Sequence, residues 1–273
     1  MHTPAAPPPQ FVHAADGTQL ATYEFGDSNN PSVFLLHGFA SSAMANWHKT
    51  GWVRDLVRAG YHLIALDQRG HGASDKPLTA ASFAMSTLVD DVLRVLDAHL
   101  ISEVSFVGYS LGARVGWLAA HDHPDRISRA VLGGIPDGDP LKRFDIADAR
   151  AHIEHGVTVT DRLTGFFLSM AKALPENNLT SLVALVEGLR NGEQPSAANA
   201  PIQPVMFATG SDDPILDASR ALAAVTPQGT FFEIPGRNHF NAPTSRDFRD
   251  AARTFLAADL SHSSPCETET DDS

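Results

Sequence analysis

Short, largely apolar runs alternate with helical patterns along most of the chain. Residues 33–36, 61–66 and 104–107 are strand-sized, as expected of strands buried on both faces of a sheet, and 130–132, 205–208 and 231–234 read as further strands. Between them lie helical spacings. Residues 52–59 place apolar side chains at 52, 53, 56 and 57, and Gly60 then stops the helix. Residues 86–100 gather Leu88, Val89, Val92, Leu93, Val95, Leu96 and Leu100 on one broad face, with Thr87 and Asp90 reading as a start signal. Residues 111–120 form a helix of small side chains, and 216–225 and 245–260 complete the set. Ahead of this alternation, 11–15 and 19–25 flank Asp16-Gly17 and predict an antiparallel hairpin. Strands separated by helices predict an α/β fold, a mostly parallel central sheet flanked by helices.

The rhythm breaks at Pro136. Up to about residue 200 there are helical patterns, at 166–174 and 179–189, but no clear strand. This stretch reads as a helical insertion, and 192–204, with three prolines, reads as its return. The expected organisation is therefore a flexible proline-rich arm over 1–9, a core over 10–135 and 201–260, the insertion over 136–200 and a disordered acidic tail over 261–273.

Composition narrows the function classes. With 43% apolar residues in 273, the body can bury a substantial core, and no apolar run approaches the ~18 residues of a membrane span. Twenty Lys and Arg against 32 Asp and Glu give a net charge of -12, which argues against a nucleic-acid partner. Glu267, Glu269, Asp271 and Asp272 carry a third of that charge, leaving -8 on the rest. The lone cysteine, Cys266, excludes an intramolecular disulfide and lies far from every motif. With no basic and apolar leader at the start, the expected location is cytoplasmic, with no membrane partner.

Gly108-Tyr109-Ser110-Leu111-Gly112 follows one predicted buried strand and precedes a helix, the setting in which G-x-S-x-G marks a nucleophile elbow. Serine is a weak nucleophile and needs a base and an orienting acid, which follow it in the order acid, then histidine. Among thirteen histidines, His239 stands in the loop after the last strand and is the expected base. The acid is expected after strand 205–208, in Gly210-Ser211-Asp212-Asp213-Pro214. Asp213 is favoured because Pro214 holds it extended. Asp212 is the second choice, and Asp137 or Asp139 after strand 130–132 a third.

Backbone N–H groups of Phe39, in His37-Gly38-Phe39, and of Leu111 are the expected oxyanion donors. His37 beside a glycine suits a buried histidine bonded to loop backbone better than a base. His121, His123 and His155 read as exposed helix or loop residues, and no metal site is expected. In Asp67-Gln68-Arg69-Gly70-His71-Gly72-Ala73-Ser74-Asp75, Asp67, Arg69 and Ser74 are expected to brace a tight loop, in preference to Arg69 binding an anion.

HGF at 37–39, DQRGHGASD at 67–75, GYSLG at 108–112, GSDDP at 210–214 and GRNHF at 236–240 together resemble the α/β-hydrolase fold superfamily over residues 10 to about 260. The resemblance implies a catalytic triad of Ser110, Asp213 and His239, with the 136–200 insertion as a short helical cap shaping acyl specificity. Haloalkane dehalogenases and epoxide hydrolases of this fold carry an aspartate where Ser110 stands, and the HGGG run of hormone-sensitive-lipase-like esterases is absent. The expected function is a carboxylesterase-like serine hydrolase that cleaves a small carboxylic ester or lactone and needs no cofactor. The alternatives are a carbon–carbon bond hydrolase, enol-lactonase or cofactor-free perhydrolase with the same triad, or a small-molecule receptor. Trp47, Phe166, Phe167 and Phe240 are the expected pocket aromatics for a small carbonyl substrate, though each reads equally as core.

Overall fold

The computed structural model describes residues 5–136 and 138–258. Residues 1–4 of the expected arm, Asp137, and the expected tail with Cys266 lie outside the described residues.

The strands are β1 (Gln10–His13), β2 (Gln19–Phe25), β3 (Ser32–Leu36), β4 (His62–Leu66), β5 (Val104–Tyr109), β6 (Ile127–Gly133), β7 (Val205–Gly210) and β8 (Gly229–Ile234). They form one sheet in the order β1-β2-β4-β3-β5-β6-β7-β8. β1 and β2 pair antiparallel, as does β2 with β4, and every later pairing is parallel. The helices are α1 (Trp52–Arg58), α2 (Met85–Ala98), α3 (Leu111–Asp122), α4 (Ile146–His155), α5 (Arg162–Lys172), α6 (Leu179–Leu189), α7 (Leu216–Val225) and α8 (Arg246–Ala257).

The largely apolar strands have a simple cause. Side chains alternate across a strand, and each face of the sheet meets its own core. Phe34, Leu36, Phe106 and Leu132 join one core with residues of α2, α3 and α7. Val33, Leu35, Val107 and Val131 join the other with Trp52, Phe248 and Leu256 from α1 and α8. Among the described residues no helix is long and apolar enough to cross a membrane.

The segment between β6 and β7 contains α4, α5 and α6. A small core of Leu141, Phe144, Ala149, Leu168, Val183 and Val186 holds them together. Leu185 and Leu189 of α6 are also buried with Phe83 and Met85 in the first of the two main cores, so this segment is seated on the sheet domain by side-chain packing.

Two expectations need correction. α2 starts at Met85, and Ala84 occupies its cap position without a side-chain hydrogen bond, so Thr87 and Asp90 lie inside the helix and do not start it. Buried Phe83 and Met85 fix the chain's entry instead. α4 had no predicted counterpart because Ala149 is its only buried residue, which leaves almost no apolar periodicity to read. Its start is chemically clear nonetheless: the Asp145 carboxylate accepts the Asp148 N–H at 2.9 Å.

The loop after β4 is braced from within. The Asp67 carboxylate accepts from the N–H groups of Ala43 at 2.7 Å and Ala73 at 2.8 Å, and from the Tyr23 hydroxyl at 3.1 Å. Ser74 accepts the Ala21 N–H and donates to the Asp67 carbonyl. Arg69 is 1% exposed and makes two 2.7 Å bonds to Asp91, a third of the same length to Asp16, and one to the Ser82 carbonyl. A guanidinium engaged in this way is a structural tie and is not free to bind an anion.

Two buried imidazoles hold this loop against the one after β3. His37 Nδ1 lies 2.8 Å from the Gly38 carbonyl, and its Nε2 accepts the Gln68 N–H at 3.1 Å. His71 Nδ1 lies 3.1 Å from the Arg69 carbonyl, and its Nε2 accepts the Ala40 N–H at 3.0 Å. Both rings must therefore be neutral, protonated on Nδ1. Burial is the main force lowering their pKa values, to about 4 for His37 and about 3 for His71, whose neighbour His37 lowers it further.

Asp91→Ala strips buried Arg69 of its bidentate partner and should lower unfolding stability by about 3 kcal/mol, measured by urea titration; a loss under about 1 kcal/mol would show that Asp16 alone suffices. The histidines set an acid limit. Below about pH 6.5 the unfolded chain takes up protons that the native rings refuse. Stability should therefore fall with pH from about 6.5 until the native values of about 4 and 3 are passed. Each ring contributes a slope of up to about 1.4 kcal/mol per pH unit. His71→Asn should reduce that slope by about one proton; an unchanged slope would place the acid sensitivity elsewhere.

Candidate active site

The site is built where β5 turns into α3. Ser110 occupies that turn with φ 53° and ψ -113°, a backbone position rarely open to a side chain. Its N–H donates to the Gly133 carbonyl at 2.8 Å, which ties the turn to β6. The flanking glycines are required by close approach. A Cβ on Gly112 would lie 2.1 Å from the Leu36 carbonyl oxygen, and one on Gly108 would lie 2.5 Å from the Gly112 carbonyl oxygen.

Three of the sequence-predicted residues converge here from distant parts of the chain. Ser110 Oγ lies 3.0 Å from His239 Nε2, and His239 Nδ1 lies 2.8 Å from Asp213 Oδ2. Asp213 is buried at the end of β7, and its second oxygen accepts the Ile215 N–H at 3.2 Å. An ionised carboxylate can only accept, so His239 donates from Nδ1 and turns the lone pair of Nε2 toward the serine hydroxyl. The Tyr109 hydroxyl donates to the His239 carbonyl at 2.6 Å and fixes the loop that follows β8.

The other acid candidates lie elsewhere. Asp212 is exposed; its carboxylate accepts the Ser211 hydroxyl at 3.1 Å. Asp139 accepts the Leu141 N–H at 2.9 Å. Asp137 lies outside the described residues.

The loop after β3 passes directly beside the serine. A Cβ on Gly38 would stand 3.1 Å from Ser110 Cβ. Among the described residues, no group accepts a hydrogen bond from the N–H of Phe39 or of Leu111. No group of three or more His, Cys, Asp or Glu side chains is arranged to hold a metal ion among the described residues.

Two cavities meet at Ser110, and Phe39, Phe167 and His239 border both. The smaller, about 70 Å³, is closed in by Leu111, Arg114, Pro136, Pro140, Leu141 and Ile215. The larger, about 300 Å³, opens past Asn46, Met170, Leu174, Phe240 and Pro243.

Of the four expected pocket aromatics, Phe167 and Phe240 line the cavities. Phe166 borders neither; it is half exposed, with its ring against those of Phe167 and Phe240. Trp47 is corrected to a core residue. It is fully buried, edge-on to Trp52 at 5.3 Å, on the short π-helical turn Met44–His48 that left no periodicity to read. Its neighbour Asn46 borders the larger cavity instead. Sequence reasoning missed Arg114, although it stands four residues after Ser110, one helical turn along the same face.

A family model described as alpha/beta hydrolase fold matches residues 31–156. Epoxide hydrolase B of Mycobacterium tuberculosis is 38% identical over 110 residues, 40% of this chain and 30% of that protein. The matches span less than half the length of the curated relatives. Among solved structures, a carboxylesterase of the thaumarchaeon Nitrososphaera gargenis superposes with a TM-score of 0.77 at 18% identity, covering 93% of this chain and 100% of that one. The enol-lactonase of Burkholderia xenovorans LB400 superposes with a TM-score of 0.72 at 19% identity, covering 92% and 100%. The eight-stranded sheet, its flanking helices and these superpositions show the α/β-hydrolase fold, and the matched family model covers just under half of the chain.

Proposed function

We propose that this protein is a serine hydrolase that cleaves small carboxylic esters or lactones through an acyl-enzyme on Ser110. The observation that carries this reading is the unbroken hydrogen-bond chain from Asp213 through His239 to Ser110, at 2.8 and 3.0 Å. As Ser110 Oγ attacks the carbonyl carbon, its proton passes to His239 Nε2, and Asp213 stabilises the imidazolium that forms. The Phe39 and Leu111 N–H groups receive the developing oxyanion, worth about 3 kcal/mol per donor. When the tetrahedral adduct collapses, the carbon–oxygen bond breaks and His239 returns the proton to the leaving alcohol. Water then repeats the sequence, releasing the acid and restoring the serine.

The residue at 110 also separates this chemistry from epoxide opening, which the names of several relatives would suggest. Attack of a serine oxygen on an epoxide would leave an ether on the enzyme, and water does not cleave an ether under mild conditions. Attack on an acyl carbon leaves an ester, which the same machinery can hydrolyse. In this reading the segment over 136–200 acts as a cap, since Leu141 and Phe167 wall the space above the serine.

Ser110→Ala should lower 4-nitrophenyl acetate hydrolysis at least about 10³-fold and abolish labelling by a fluorophosphonate probe. Asp213→Asn should cost about 10³- to 10⁴-fold by favouring the wrong imidazole tautomer, while Asp212→Asn should stay within about twofold of the parent. Undiminished turnover in Ser110→Ala would overturn the assignment.

A further inference from the structure

The smaller cavity contains a charge that acyl transfer does not require. Arg114 lines it together with Ser110 and His239, and its side chain is 2% exposed. One Nη donates to Gln194 Oε1 at 2.7 Å, but Nε is buried with no partner. No carboxylate among the described residues forms an ion pair with it. Two other buried arginines have carboxylate partners. Arg69 has Asp91 and Asp16, and Arg249 has Asp55 at 2.8 Å. Asp139 acts on Arg114 only at a distance, against a burial that lowers its pKa. An unpaired guanidinium is costly to bury, and a neutral side chain of similar length would fill the space more cheaply. A carboxylate in the cavity that Arg114 lines would supply the charge partner that the described residues do not.

The two cavities differ in a way that decides which half of a substrate carries that group. A leaving alcohol must depart while the acyl group stays attached to Ser110, so the wider, open cavity suits the alcohol. The enclosed cavity, bordered by Leu111 of the oxyanion pair, suits the acyl chain. Its volume of about 70 Å³ admits only a short arm, and Leu141, Pro136, Pro140 and Ile215 offer apolar contact to its methylenes.

We propose that the smaller cavity is an acid pocket in which Arg114 binds a carboxylate on the acyl side, so that the preferred substrates are half-esters or carboxylate-bearing lactones of short dicarboxylic acids. This rests on the serine-hydrolase reading and narrows its substrate class.

The decisive comparison is ethyl hydrogen glutarate against ethyl 5-methylhexanoate, which replaces the terminal carboxylate by an isopropyl group of the same shape. The wild-type protein should favour the acid by at least about tenfold in kcat/KM, mainly through KM. Arg114→Gln should bring the two rates within about twofold of each other, and Arg114→Lys should restore part of the preference. A purely structural arginine would lower both rates together and leave their ratio unchanged, which would overturn the proposal, as would a wild-type preference for the neutral ester. Calorimetric titration of Ser110→Ala protein with glutarate reads the pocket without turnover. Binding that disappears in the Ser110→Ala, Arg114→Gln double variant supports the acid pocket even if neither ester is cleaved, an outcome that would overturn the hydrolase reading alone. Absence of glutarate binding would overturn the acid pocket even in an active esterase.

Discussion

A serine held at φ 53° is the constraint around which the rest of the site is organised. That conformation aims Oγ out of the sheet at the C-terminal end of β5 and sets the first N–H groups of α3 behind it. It is tolerable only because the surrounding chain leaves no alternative. β3 and β5 are adjacent and parallel, so the loop after β3 arrives beside the turn. Gly112 lets α3 press against the Leu36 carbonyl, and the Ser110 N–H is taken by Gly133 on the other side. The strain is local, but its support comes from three neighbouring strands.

The same economy governs the histidines. His37, His71 and His239 share a hydrogen-bond grammar: Nδ1 meets an acceptor and Nε2 offers a lone pair. What differs is the group facing Nε2. For His37 and His71 it is a backbone N–H, and full burial keeps both rings neutral props of the loops around the site. For His239 it is the Ser110 hydroxyl, and the ring is partly open to the cavities. A carboxylate stands behind His239 where carbonyls stand behind the other two, and a carboxylate stabilises a positive imidazole more strongly than a carbonyl does. Sequence alone does not separate these roles, because the distinguishing partners come from elsewhere in the chain.

Legibility followed physical origin. The strands from β3 to β7 were readable because burial on two faces leaves a largely apolar run, and Gly108 to Gly112 because strand, strained turn and helix are contiguous. Asp213 and Asp212 are neighbours of the same type, and the sequence could rank them but not settle which one the β7 turn buries. Trp47 was misread because an aromatic near a motif loop is as compatible with core as with pocket, and its π-helical turn has no pattern of its own. Arg114 was overlooked because its importance lies in a missing partner, and an ion pair missing among the described residues becomes visible only in three dimensions.

That missing partner also shows how little the net charge says about the substrate. A body at -8 sets up a field that repels anions at long range and so opposes the approach of a carboxylate ligand. At physiological ionic strength such a field decays over about 8 Å, whereas a contact made inside a closed cavity is hardly screened. Encounter is therefore only weakly opposed, and discrimination falls to the few groups in direct reach of a ligand in the cavity. Among the cavity-lining residues beside Ser110, Arg114 is the one with a permanent charge. The acidic exterior and the proposed acid pocket are thus compatible, because they act over different distances and at different stages of binding.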